Sequence, residues 1–220
     1  MNFTRRTRQS MWTGTAFVLI GMAAPSKAQS IIQPVTPPAI TPPAGNIAFI
    51  EGNAVGTQAY ICLPSGDTTS WTVNSSRPQA TLSVTFGNYT KQIVTHFLSP
   101  NPSAVPPAPP SCVESVDTDT IDCPTWQSSL DSSVVWGSKT GSINAGTDPS
   151  CPDTGAIPCL LLQAIGTQAG PNGSGILTKV TYVQRLNTTG GSAPSVSCNV
   201  GDQALVPYTA DYYFWKADSN

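Results

Sequence analysis

The chain has 220 residues, a formal net charge of −2 and only 10% charged side chains, a length that suits one domain with a real core. That composition disfavours nucleic-acid partners and anionic membrane surfaces, which need a basic patch, and it gives little field to steer a charged substrate. A single histidine and no C-x-x-C pair leave no zinc-type ligand set, so neither a metal nor a cofactor is expected.

The first 28 residues read as a secretory signal. Arg5, Arg6 and Arg8 form a basic start, residues 11–24 are an uncharged and mostly apolar run, and Ser26-Lys27-Ala28 is a small-x-small cleavage site. The run is shorter than the roughly 20 residues a spanning helix needs, and no later stretch is apolar enough, so no transmembrane segment is expected. Cleavage near Ala28 predicts a secreted or periplasmic protein. It would leave 192 residues with 6 basic and 12 acidic side chains, because the leader takes four basic residues and no acid.

Residues 29–46 carry Pro34, Pro37, Pro38, Pro42 and Pro43. Fixed φ and missing N–H groups predict an extended, unpaired lead, dispensable to the domain. A β domain is predicted over residues 47–216, with a short tail at 217–220. Strand candidates are 47–51, 55–63, 80–86, 91–98, 133–138, 176–186 (the longest) and 208–215. Leu82, Val84 and Phe86 alternate with Thr81, Ser83 and Thr85, the period of a half-buried strand. Leu160-Leu161-Leu162 is a buried strand or one turn of helix, which periodicity does not decide. A proline- and cysteine-bearing excursion interrupts the pattern at about 99–123. The absence of long amphipathic helices and of strand–helix alternation predicts an all-β, antiparallel sandwich or barrel with few or no helices.

All six cysteines follow the leader, as expected of a disulfide framework in an oxidising compartment. Six cysteines allow 15 pairings, and the sequence does not choose among them rigorously. The expected bridges are the local pairs Cys112–Cys123 and Cys151–Cys159, which leave Cys62 for Cys198.

A series of motifs runs along the chain: Gln58-Ala59-Tyr60-Ile61-Cys62, Trp71, Pro78-Gln79-Ala80, His96, Pro124-Thr125-Trp126 and Asp131-Ser132-Ser133-Val134. Further along come Ile157-Pro158-Cys159-Leu160-Leu161-Leu162, Val180-Thr181-Tyr182-Val183-Gln184-Arg185, residues 187–191, Pro194, Cys198 and residues 207–214. In this order they resemble a secreted family catalogued as domain of unknown function 3455. The resemblance implies that Cys62 and Cys198, which match family positions, pair together. It also implies that the other four cysteines are additions paired among themselves. It brings no activity with it.

Candidate chemistry is sparse. His96, Asp131 and Asp211 are the only residues suited to proton transfer in a hydrolase acting on an extracellular polysaccharide or ester. No G-x-S-x-G elbow accompanies His96. Arg185, within a strand pattern, would need a partner if buried. Asp211 is the expected one in a structural ion pair, and the alternative is a bound carboxylate. Arg185, Gln184, Tyr212 and Trp126 are the candidate ligand contacts. Trp71, Trp126, Trp136, Tyr212, Tyr213 and Trp215 could build a stacking platform, although strand aromatics more often fill a core. The favoured reading is a non-catalytic binding or structural module whose partner is a small molecule, a glycan or a surface component. A small hydrolase is the alternative.

Overall fold

The computed structural model describes residues 31–74, 77, 79–115 and 119–219. The expected signal segment therefore lies outside the described residues. Ten antiparallel strands are formed: β1 (Asn46–Ser65), β2 (Thr68–Val73), β3 (Gln79–Phe86), β4 (Tyr89–Pro100), β5 (Val113–Ser115), β6 (Thr120–Ser128), β7 (Val134–Ile143), β8 (Cys159–Gln168), β9 (Val180–Gly190) and β10 (Gln203–Ala217). Among the described residues the only helical pieces are two 3-10 turns, Pro38–Ile40 and Ile176–Lys179.

The sheet runs β10-β9-β8-β7-β6-β4-β3-β1, and β10 also pairs with β1. Eight strands thus close into a barrel, which leaves no free sheet edge around most of the ring. β2 continues the line of β3 along the far end of β1, and β5 flanks β6. Pro124 sits inside β6 at the junction between the β5 and β7 pairings, where a missing N–H breaks no ladder bond.

Alternation sends Ala54, Leu82, Val94, Trp126, Val135, Leu162, Val183 and Phe214 into one interior core. The outer wall is covered by two proline-rich segments. The excursion places Ala104, Ala108 and Cys112 against Ile121, Cys123, Val134 and Trp136. The lead buries Ile40 completely against Leu161, Leu186, Tyr213 and Trp215. The lead expected to be extended and unpaired is thus docked on the barrel wall. Its prolines rule out ladder pairing but not docking, and Gln33 Oε1 accepts the Ala48 N–H at 2.8 Å. Gly141 permits this docking: a Cβ there would stand 1.8 Å from the Ala39 carbonyl oxygen.

Three disulfides join Cys62 to Cys198, Cys112 to Cys123 and Cys151 to Cys159, the expected connectivity. The Leu160-Leu161-Leu162 run is a strand, with Leu160 and Leu162 facing inward and Leu161 outward. The predicted strand at 176–186 begins only at Val180. Its first four residues form a 3-10 turn, anchored by hydrogen bonds from the Ile176 N–H to Asp131 Oδ2 and from the Leu177 N–H to Ser133 Oγ.

Candidate functional site

The barrel interior gathers several of the candidate residues. β4 and β6 set His96 directly opposite Trp126, and the two rings stack with centroids 4.5 Å apart and planes 10° from parallel. From the facing wall β10 contributes Tyr212, 5.9 Å from His96 and 6.2 Å from Trp126, and Phe214, 6.4 Å from Trp126. These four rings fill the middle of the barrel. Gly137 on β7 makes room for them, since a Cβ there would lie 2.9 Å from Trp126 Cζ3.

His96 is buried, and its Nδ1 lies 2.8 Å from the Thr125 carbonyl oxygen. A carbonyl can only accept, so Nδ1 carries the proton and donates it. Burial lowers the imidazole pKa to about 4; the Thr125 hydrogen bond works against this, and the charge of Arg185 adds to it. His96 is thus a neutral ring at neutral pH, locked by its carbonyl.

Arg185 on β9 pairs in register with Tyr212 and with Leu160, and it shares their inward face. Its Nη2 donates to the Pro158 carbonyl oxygen at 2.8 Å, and the guanidinium lies 5.8 Å from the centre of the Tyr208 ring. The Tyr208 and Tyr212 hydroxyls are 3.1 Å apart. Burial, followed by the neighbouring Tyr212, pushes the Tyr208 hydroxyl well above its ordinary pKa, against the pull of Arg185.

Asp211 is not the partner of Arg185. It neighbours Tyr212 in the strand, so alternation turns it outward, where it accepts from Asn53 Nδ2 at 2.7 Å and from Asn187 Nδ2 at 2.8 Å. Gln184 likewise points out of the barrel and donates to the Ile40 carbonyl oxygen at 2.6 Å, which ties the lead down. Asp131, in the turn between β6 and β7, accepts from Ser133 Oγ at 2.6 Å, the Ser133 N–H at 3.0 Å and the Ile176 N–H at 2.7 Å. Desolvation raises its pKa, but the hydrogen bonds from Ser133, Ile176 and Ser128 outweigh that and hold it at about 2. The three candidate proton handlers therefore occupy the barrel interior, a turn and the outer wall, and they do not converge.

The aromatic residues do not share a platform either. Trp126 and Tyr212 are interior. Trp136 lies under the excursion and donates to Ser99 Oγ at 3.0 Å, while Tyr213 and Trp215 lie under the lead. Trp71 on β2 donates to the Val196 carbonyl oxygen.

One opening carries no signal in the sequence. β1 and β3 pair only between Asn53↔Ser83 and Thr57↔Gln79, although β3 runs on to Phe86 and β1 begins at Asn46. Beyond Asn53 the two strands part and leave a slot of about 780 Å³ in the wall. Ile50, Val84, Ile93 and Val94 form its floor, and Ile176 and Leu130 bound it. Phe86 and the lead's Ile32, 66% and 88% exposed, stand among its outermost residues. Glu51 is the one carboxylate in the lining, and its Oε1 accepts from the Tyr213 hydroxyl at 3.0 Å. A smaller opening of about 390 Å³, between β1, β3 and β4, reaches His96. No alternating pattern signals a slot, because it arises from where a pairing stops. The alternation at 80–86 puts Phe86 on the buried face with Leu82 and Val84, and the structure corrects this: past Ser83 the strand leaves β1, and Phe86 stands 66% exposed at the slot.

The family model for a protein of unknown function (DUF3455) matches residues 43–216. The chain belongs to that family. The match starts within the lead and ends inside β10, so it spans the closed barrel, the second of the two 3-10 turns and the excursion. No curated protein and no solved structure matches the chain. Among the described residues no cluster of three metal-ligating side chains occurs and no helix is long and apolar enough to cross a membrane.

Proposed function

We propose that this DUF3455 protein is an exported, non-catalytic binding module whose ligand is a small molecule with an apolar body, seated in the slot between β1 and β3. The slot carries the proposal. Its volume of about 780 Å³ falls within the range of small-molecule sites, roughly 300–1,000 Å³, and its lining is mainly aliphatic and aromatic with few polar groups. Glu51 and Tyr213 offer a polar end to such a ligand. Exposed apolar side chains gathered at one opening cost solubility and mark a contact surface more often than chance. The three disulfides fit an oxidising compartment, in keeping with the signal read at the N-terminus. The dispersal of His96, Asp131 and Asp211 supports binding over hydrolysis, since acid–base catalysis needs such groups within reach of one reacting bond.

The test is titration of the untagged mature protein with the neutral apolar fluorophore N-phenyl-1-naphthylamine. Saturable binding of one probe per chain is expected. The double variant Ile32→Glu/Phe86→Glu, which alters only exposed side chains, should weaken it at least tenfold, or about 1.4 kcal/mol. Equal affinity in the variant would remove the slot as the site.

A further inference from the structure

Among the described residues Arg185 is the only buried side chain of the charged types, with 8% of its surface exposed. Its Nε has no hydrogen-bond partner among the described residues, and no carboxylate there lies within ion-pair distance. The acid nearest in sequence register, Asp211, is turned outward and already accepts from two asparagines. The groups around the guanidinium supply no negative charge. His96 is neutral, and Tyr60, whose hydroxyl donates to the Gly191 carbonyl oxygen at 2.7 Å, is kept protonated along with Tyr208. The same interior holds a second unpartnered donor, Trp126 Nε1. Its ring touches Tyr212, which sits directly opposite Arg185. The barrel interior is thus rich in donors and carries a positive charge with no counter-charge. That state is costly, because taking a lone cation out of water forfeits several kcal/mol even after relaxation.

We infer that Arg185, on the side of the barrel lined by Tyr60, Tyr208 and Tyr212, holds a small monovalent inorganic anion of halide size. The arrangement favours a small ion over a ligand carboxylate, because Arg185 lines neither the 780 Å³ slot nor the 390 Å³ opening. A halide accepts from several N–H and O–H donors at once and neutralises the guanidinium. A water molecule could satisfy Nε but not the charge. One of the Tyr208 and Tyr212 hydroxyls donates to the other, which leaves the second hydroxyl proton free for the anion. This site is independent of the slot: it would stand if the slot bound nothing.

The experiment measures thermal unfolding of the mature protein while sodium chloride replaces sodium gluconate at constant ionic strength. A saturable rise is expected, about 5 °C at hundredfold excess over Kd. The Arg185→Met variant should show the same midpoint in both salts. Crystals of the wild type soaked in sodium bromide should show an anomalous peak within hydrogen-bond distance of the Arg185 guanidinium, a result that does not depend on the variant folding. Identical wild-type midpoints in chloride and gluconate, a chloride response retained by Arg185→Met, or bromide peaks confined to the surface would each overturn the assignment.

Discussion

His96 ties the barrel's interior packing to pH, and the effect can be sized from its surroundings. The folded imidazole has a pKa of about 4, against about 6.5 for an exposed histidine in the unfolded chain. The folded state therefore binds the proton more weakly. Stability from this group is complete above pH 6.5 and is lost as the pH falls from 6.5 towards 4, below which it levels off. The difference of about 2.5 pH units at 1.36 kcal/mol each gives a loss of about 3 kcal/mol. Because His96 is the chain's only histidine, the proton spectrum of the untagged protein should contain one Cε1–H resonance that titrates with a midpoint near 4. Urea unfolding should be followed in parallel for wild type and His96→Phe, which keeps a flat ring against Trp126. Carboxylates titrate in both proteins, so the stability gap between them isolates the imidazole. That gap should shift against the wild type by about 3 kcal/mol between pH 7.5 and pH 4. A resonance titrating near 6.5, or two stability curves that stay parallel, would refute the reasoning.

Three further outcomes follow from the structure. Loop closure over a separation of 136 residues makes Cys62–Cys198 worth about 5 kcal/mol, against about 3 kcal/mol for Cys112–Cys123 with a separation of 11; paired Cys→Ser variants compared by denaturant unfolding should keep that order, and equal losses would contradict it. Ile40→Ala should cost about 2–4 kcal/mol, because its side chain is fully buried on the outer wall; a lead that only spaces the domain would give no change on thermal unfolding. Asp131, whose folded pKa of about 2 lies below the ordinary carboxylate value, adds stability that is full above about pH 4 and is lost as the pH falls through 2; Asp131→Asn should therefore unfold more easily than wild type at pH 7, with the gap closing towards pH 2.

Local chemistry made much of this molecule legible. The alternation at 80–86 reports a strand, and β3 is that strand, but only its first part keeps the buried face: Leu82 is in the core, Val84 is half-buried and Phe86 is exposed. Close cysteine spacings report local bridges, and both form. What escaped the sequence depends on long-range geometry. Closure of the barrel rests on β1, whose 20 residues meet β10 on one edge and β3 and β2 on the other. Nothing in its own residues says that two partners divide it. The prolines of the lead forbid ladder pairing, but Ile40 and the main chain around it still find a wall to cover. The pairing of Arg185 with Asp211 failed on a parity of one residue. Tyr212 faces Arg185 across the ladder, so its neighbour Asp211 must point the other way. Of the four candidate ligand contacts, Arg185, Tyr212 and Trp126 share the interior, whereas Gln184 serves the lead. The slot itself is defined by the absence of a partner beyond Asn53 and Ser83, which composition and periodicity do not encode.

Residue-level mapping of an apolar ligand tests the account at its centre. Two-dimensional NMR of the isotope-labelled mature protein should be recorded with increasing N-phenyl-1-naphthylamine. Shift changes concentrated on Ile50, Val84, Phe86, Ile93 and Ile176 are the expected result. Changes spread over the outer wall, or centred on surfaces away from the parting of β1 and β3, would contradict it.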